Sequence, residues 1–240
     1  MNRDDARSKI IFALDVNGVA EIDRYAGMLS AKVGMFKVGK ELFTSCGPEA
    51  VRAVQRHGGQ VFLDLKYHDI PNTVAKAMLE AARLGVQLAN LHALGGAEMM
   101  ETAATAVRKE FGDDRPRLLA VTILTSSTAE TLRGVGISLP VEQMVVRLAR
   151  LAQEAGMDGV VASPLEIGII RAACGPDFLI VTPGVRPTFA AADDQKRIMT
   201  PAEAVGAGAD FLVIGRPIAK AADPAAAAEM ITDEILAGCL

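Results

Sequence analysis

The chain has 240 residues, 50% of them apolar and only 22% charged, so it can bury one large core and is not a disordered polymer. A formal net charge of −4 without a long basic run leaves no electrostatic footprint for nucleic acid or an anionic membrane, so any anionic ligand must be held by local cations. Residues 1–9 are polar where a secretory signal would be apolar, and no apolar run nears the roughly 18–20 residues that span a bilayer, which points to a soluble cytoplasmic protein.

In chain order, eight short apolar or β-branched runs are predicted as strands: 10–16, 35–43, 60–66, 88–94, 118–125, 159–163, 178–185 and 211–217. Alanine-rich amphipathic stretches lie between them, most clearly 74–84, 97–111, 141–155 and 224–236. Strand and helix alternate over residues 1–240 without a linker or a break in composition, which predicts an α/β protein folded as a single (β/α)8 TIM barrel. The competing open, doubly wound sheet would carry GxGxxG after its first strand, and this chain has none there. Most connections are short, but 183–201 is long and mixes Gly and Pro with Arg186, Gln195 and Lys196, the composition of a lid that moves and touches a ligand.

Cys46, Cys174 and Cys239 are far apart and lack the short spacings of zinc or redox sites; His57, His68 and His92 are equally scattered, so no metal site is expected. The chemistry concentrates instead at strand ends. Alternate residues of a strand share a face, so Asp64 and Lys66 point together into the barrel mouth, with Asp69 just beyond. Lys37 stands on the second strand and Asp15 ends the first. Functional groups of this fold collect at the carboxyl ends of strands. Three carboxylates and two ammoniums tolerate one another there if they alternate, either as an inert ion-pair plug or as a catalytic array in which Lys66 donates a proton.

A phosphate site is read separately from the last two strands. Gly184 and Arg186 end the seventh, and Gly215 and Arg216 end the eighth. Glycine lets backbone N–H groups approach an anion and arginine adds a forked donor, in the loops that commonly bind phosphate in this fold, so the substrate is read as a phosphate monoester.

The block DLKYHDIPNT at 64–73 resembles the D-x-K-x-x-D-I-P-x-T signature of the orotidine 5′-phosphate decarboxylases. The likeness runs along nearly the whole chain, through FALDV, FKVGKELF, the strand end at Thr125, VTPGVRP, Gln195 and IGRPI. It implies the last step of UMP biosynthesis, carried out without a cofactor. It further implies that Lys66 is the proton donor, that Lys37, Asp64 and Asp69 complete the catalytic array, and that Asp15 and Lys37 bind ribose hydroxyls. Thr125 would meet the pyrimidine edge, while Gln195, Arg186, Gly215 and Arg216 would hold the phosphate. The resemblance also implies a homodimer in which Asp69 and Thr73 reach the partner's site. The alternatives are a metal-dependent sugar-phosphate decarboxylase or lyase of the same superfamily and a catalytically silent phosphate binder. The first would need a carboxylate where Lys37 stands, since an ammonium repels a metal ion.

Overall fold

The computed structural model of the chain describes residues 1–190 and 199–238. Eight parallel strands, β1 (Ile10–Ala13), β2 (Met35–Gly39), β3 (Val61–Tyr67), β4 (Leu88–His92), β5 (Arg117–Val121), β6 (Gly159–Val161), β7 (Leu179–Pro183) and β8 (Phe211–Ile214), pair in sequence order, and β8 returns to β1 to close a barrel. Helices alternate with the strands and cover the outside. The expected (β/α)8 architecture is therefore the one observed.

Strand alternation produces two apolar layers. Ile11, Met35, Phe62, Leu119, Val181 and Val213 fill the inside of the barrel, while their neighbours, among them Phe12, Phe36, Leu63 and Ile214, pack outward against the helices. Proline sets several helix starts. Pro71, Pro201 and Pro224 open the helices Pro71–Arg83, Pro201–Gly206 and Pro224–Ala237, where a missing N–H costs nothing, and Thr200 and Asp223 cap the last two. Helix Ala97–Phe111 has the expected bounds, and helix Val141–Glu154 ends one residue early.

All the strands except β3, which runs one residue further to Tyr67, are shorter than expected at their carboxyl ends. The second stops at Gly39 and helix Lys40–Cys46 follows, so Phe43 is helical; the eighth stops at Ile214 and a short helix, Arg216–Ala219, begins at once. Ladder pairing ends where the chain turns out to its helix, while the apolar pattern continues across that turn. In the long connection at 183–201, Val185 bridges to Met199 and Arg186 N–H donates to the Met199 carbonyl at 3.0 Å. Gln195 and Lys196, and also Cys239, lie outside the described residues. Among the described residues no helix is long and apolar enough to cross a membrane.

Candidate active site

On β3 the inward residues run Phe62, Asp64, Lys66, from packed interior to open mouth. The Asp64 side chain is buried with only 8% of the residue exposed. Its Oδ1 is bonded by Lys66 Nζ and by Asn90 Nδ2, the latter at 2.6 Å, and its Oδ2 lies 3.5 Å from Lys37 Nζ. Lys37 Nζ is in turn 3.4 Å from Asp15 Oδ1. Strand register causes this order, since Ala13 pairs with Lys37 and Gly39 with Asp64. The row Asp15–Lys37–Asp64–Lys66 alternates carboxylate and ammonium and sums to zero, so each charge stands beside its opposite. Gly39 gives Lys37 its room, because a Cβ there would stand 3.0 Å from the ammonium.

The main chain of Lys66 is itself unusual: among the described residues it is the only non-glycine with positive φ, at 52°. Such a conformation costs on the order of 1–3 kcal/mol and persists only where surroundings enforce it. The ladder between β3 and β4 is irregular at that point, pairing Leu63 with Ala89 and then Tyr67 with Leu91.

Lys37, Asp64 and Lys66 form one edge of a cavity of about 220 Å³, whose other walls are Phe62, Val121, Ile123, Leu124, Thr125, Val161, Ala162, Pro183 and Val213. Such a space, apolar on most walls and charged along one edge, can take a small, largely apolar ring. A neighbouring cavity of about 310 Å³ brings Arg186 and Arg216 together with Phe189 and Lys220. Gly215 borders a third hollow shared by Asp15, Tyr25 and Arg216. A Cβ on Gly215 would come within 3.2 Å of the Ala13 Cβ, so glycine lets β8 close tightly on β1 at the mouth.

Of the expected site residues, Asp15, Lys37, Asp64, Lys66 and Thr125 are thus assembled around the barrel mouth, and Arg186, Gly215 and Arg216 at its β7–β8 side. Gln195 falls outside the described residues. Asp69 does not join the row within one chain: it is exposed, makes no ion pair among the described residues, and accepts from Ile70 N–H at 2.6 Å. Strand alternation ends with Tyr67, so Asp69 sits in the loop before helix Pro71–Arg83. Thr73 is exposed in the first turn of that helix.

Asn90 and His92 were not singled out by sequence, although both lie on the inward face of β4, two and four residues after inward Leu88. The alternation rule applied to Asp64 and Lys66 would have found them. Burial first, then the nearby His68, Lys40 and Lys66, hold the His92 ring down to about 4, against the opposite pull of Asp64, so it is neutral near pH 7. Glu41 lines the rim with Lys37, Lys40 and Lys66 from the first turn of its helix. Among the described residues no three of His, Cys, Asp and Glu converge as a metal-ligand set.

A closed (β/α)8 barrel with its ionised groups at the carboxyl ends of the strands and two arginines in the β7 and β8 loops defines a barrel enzyme for a phosphorylated substrate. Residues 8–231 match the Orotidine 5'-phosphate decarboxylase / HUMPS family, and the chain belongs to it. It is 84% identical to the orotidine 5'-phosphate decarboxylase of Pelobacter propionicus, with 100% of both chains aligned. It is 70% identical to that of Geobacter sulfurreducens, over 99% of this chain and 100% of the relative. The crystal structure of orotidine 5'-phosphate decarboxylase from Lactobacillus acidophilus superposes with a TM-score of 0.83 at 38% identity, covering 94% of this chain and 98% of that one. The corresponding structure from Pyrococcus horikoshii gives 0.75 at 26% identity, over 95% and 99%.

Proposed function

We propose that the chain converts orotidine 5′-phosphate and a proton to uridine 5′-phosphate and carbon dioxide, in pyrimidine biosynthesis, with Lys66 as proton donor and no cofactor. The observation that carries this reading is the Asp15–Lys37–Asp64–Lys66 row at the edge of an apolar cavity, in a chain that aligns end to end with named decarboxylases.

Loss of carbon dioxide from carbon 6 of the pyrimidine leaves its bonding electron pair on that carbon, with no carbonyl placed to absorb it. Fixed positive charge must oppose the developing anion, and the Lys66 ammonium both does so and then delivers the proton that replaces the lost carboxylate. Asp64, itself paired with Lys37, holds that ammonium in place. Lys37 also occupies the gap between Asp15 and Asp64 where a metal-dependent relative would need its ion, which favours the cofactor-free route. Asp15 and Lys37 bind the ribose, Thr125 meets the pyrimidine edge, and Arg186, Gly215, Arg216 and Gln195 take the phosphate. Binding energy at the phosphate then supports closure of 183–201 over the site and exclusion of water.

The working unit is a homodimer in which each site takes Lys66 from one chain and Asp69 and Thr73 from the other. The exposure of both residues, beside an Ile70 that is 66% exposed, supports this arrangement. Mixing Lys66→Ala and Asp69→Ala chains under subunit exchange should restore about one quarter of wild-type activity, because one site of each mixed dimer is complete. Exchange without recovery would place both residues in one chain's site.

The activity itself is tested by following the ultraviolet change of orotidine 5′-phosphate with pure protein in excess chelator. Turnover is expected; its loss under chelation alone would point to the metal-dependent alternative, and its absence throughout to a silent binder.

A further inference from the structure

We propose that Asn90 is a positioning residue that sets Lys66 against the reacting carbon, by fixing the Asp64 carboxylate and the Lys66 main chain at once. The proposal rests on the reading of Lys66 as proton donor. Asn90 is fully buried on the inward face of β4, in a strand whose other buried residues are apolar. A buried amide is costly unless its groups are paired, and both of its partners here belong to the catalytic pair. Its Oδ1 accepts from Lys66 N–H at 2.8 Å, and its Nδ2 donates to Asp64 Oδ1 at 2.6 Å. The orientation of the amide is dictated by chemistry, since only its oxygen can receive an N–H and only its nitrogen can face a carboxylate.

The strand register explains why a side chain is needed. From Leu63 to Tyr67 the third strand advances four residues while the fourth advances two, from Ala89 to Leu91. The segment between them is thrown out of the ladder, and the Lys66 N–H finds the Asn90 side chain as its acceptor. That bond opposes the relaxation of Lys66 from φ 52° to an extended conformation, which would swing its Cβ and its ammonium away from the cavity. Misplacing a catalytic group by about 1 Å can cost on the order of 10²-fold in rate.

The test compares wild type, Lys66→Ala, Asn90→Ala and Asn90→Asp for kcat, KM and binding of uridine 5′-phosphate, with circular dichroism to verify folding. Asn90→Ala should lower kcat about 10²-fold while the Kd for uridine 5′-phosphate stays within about threefold, the split expected of a displaced catalytic group. Asn90→Asp is nearly isosteric and keeps the acceptor for Lys66 N–H, but only its protonated form can donate to Asp64. It faces Asp64 and Lys66 from β3 and His92 on its own strand, with Lys37 beyond Asp64; two carboxylates sharing one site raise the apparent pKa of the pair. Its kcat relative to wild type should therefore rise as the pH falls from about 8 to about 5.5. A flat ratio, or an Asn90→Ala enzyme within about threefold of wild-type kcat while Lys66→Ala is inactive, would overturn the role of Asn90 and leave Lys66 as donor. Full turnover by Lys66→Ala would overturn both.

Discussion

At the amino end of the barrel, Asp158 takes two nitrogens of Arg115, at 2.5 and 2.6 Å, and the N–H of Leu118 at 2.7 Å; at the carboxyl end, Asp64 meets two ammoniums and one amide beside an open cavity. The lower arrangement recurs. Asp210 accepts from Arg171 at 2.9 Å and from the N–H of Ile180 at 2.8 Å, and Gln87 accepts from Val61 N–H at 2.7 Å. In each case the residue just before one strand ties down the start of the strand preceding it, so neighbouring strands are pinned in register. Planar guanidinium forks saturate a carboxylate and fix its geometry, whereas a lysine ends in one compact ammonium on a flexible stem that can turn toward a ligand. Buried charge therefore serves stability at one end and remains available for chemistry at the other.

The comparison is broken most sharply by Lys66→Ala, which should lower kcat by at least about 10²–10⁴-fold, as for a lost general acid, with little change in Tm. A kcat within about tenfold of wild type would remove Lys66 from the mechanism. The mirror experiment is Asp158→Ala. Leaving Arg115, at only 17% side-chain exposure, with the Pro116 carbonyl but no carboxylate should cost stability toward the lower side of about 3–5 kcal/mol, read by urea unfolding, with kcat intact. A large loss of kcat in a folded Asp158→Ala enzyme would mean that the two ends are coupled.

A smaller effect is expected for Arg216→Ala, about ten- to hundredfold in kcat/KM for the phosphorylated substrate and far less for the bare nucleoside. Equal losses on both would make Arg216 a structural residue. The smallest concerns His92. It is neutral in the fold, with its pKa held down to about 4, while in the unfolded chain it protonates near the ordinary 6.5. Stability linked to it is thus complete above about pH 6.5 and lost as the pH falls toward 4. His92→Gln should show a smaller fall in Tm than wild type between about pH 7 and pH 4.5; an equal fall would mean that His92 is not kept neutral by its site.

Much of this was legible in the sequence because barrel positions follow simple periods. All eight strands were found in order, and the alternation that places Phe62 in the core places Asp64 and Lys66 at the mouth. Strand ends were less legible: Leu42 and Phe43 follow the second strand closely enough to suit a strand and a helix alike, and the helix takes them, starting at Lys40 directly after Gly39. Nearness in sequence to Lys66 does not bring Asp69 into the row of its own chain, because the chain leaves the strand after Tyr67. The pinning at the amino end also has a sequence trace: glycine, an apolar residue and then Gln87, Asp158 or Asp210 recurs before three strands, at the end opposite to the one where functional groups of this fold collect.

The tight closure of β8 on β1 at Gly215 has a consequence for the order of events in synthesis. Asp15 leaves a ribosome about two hundred residues before Arg216, yet they border the same hollow at the seam. A nascent chain can build most of its parallel ladder early, but the hollow bordered by Asp15 and Arg216 does not exist until Phe211–Ile214 pairs with Ile10–Ala13. A nucleotide that spans this seam binds only the closed ring. It therefore favours completion of the barrel by mass action, drawing freshly made chains past their last folding step where substrate is abundant.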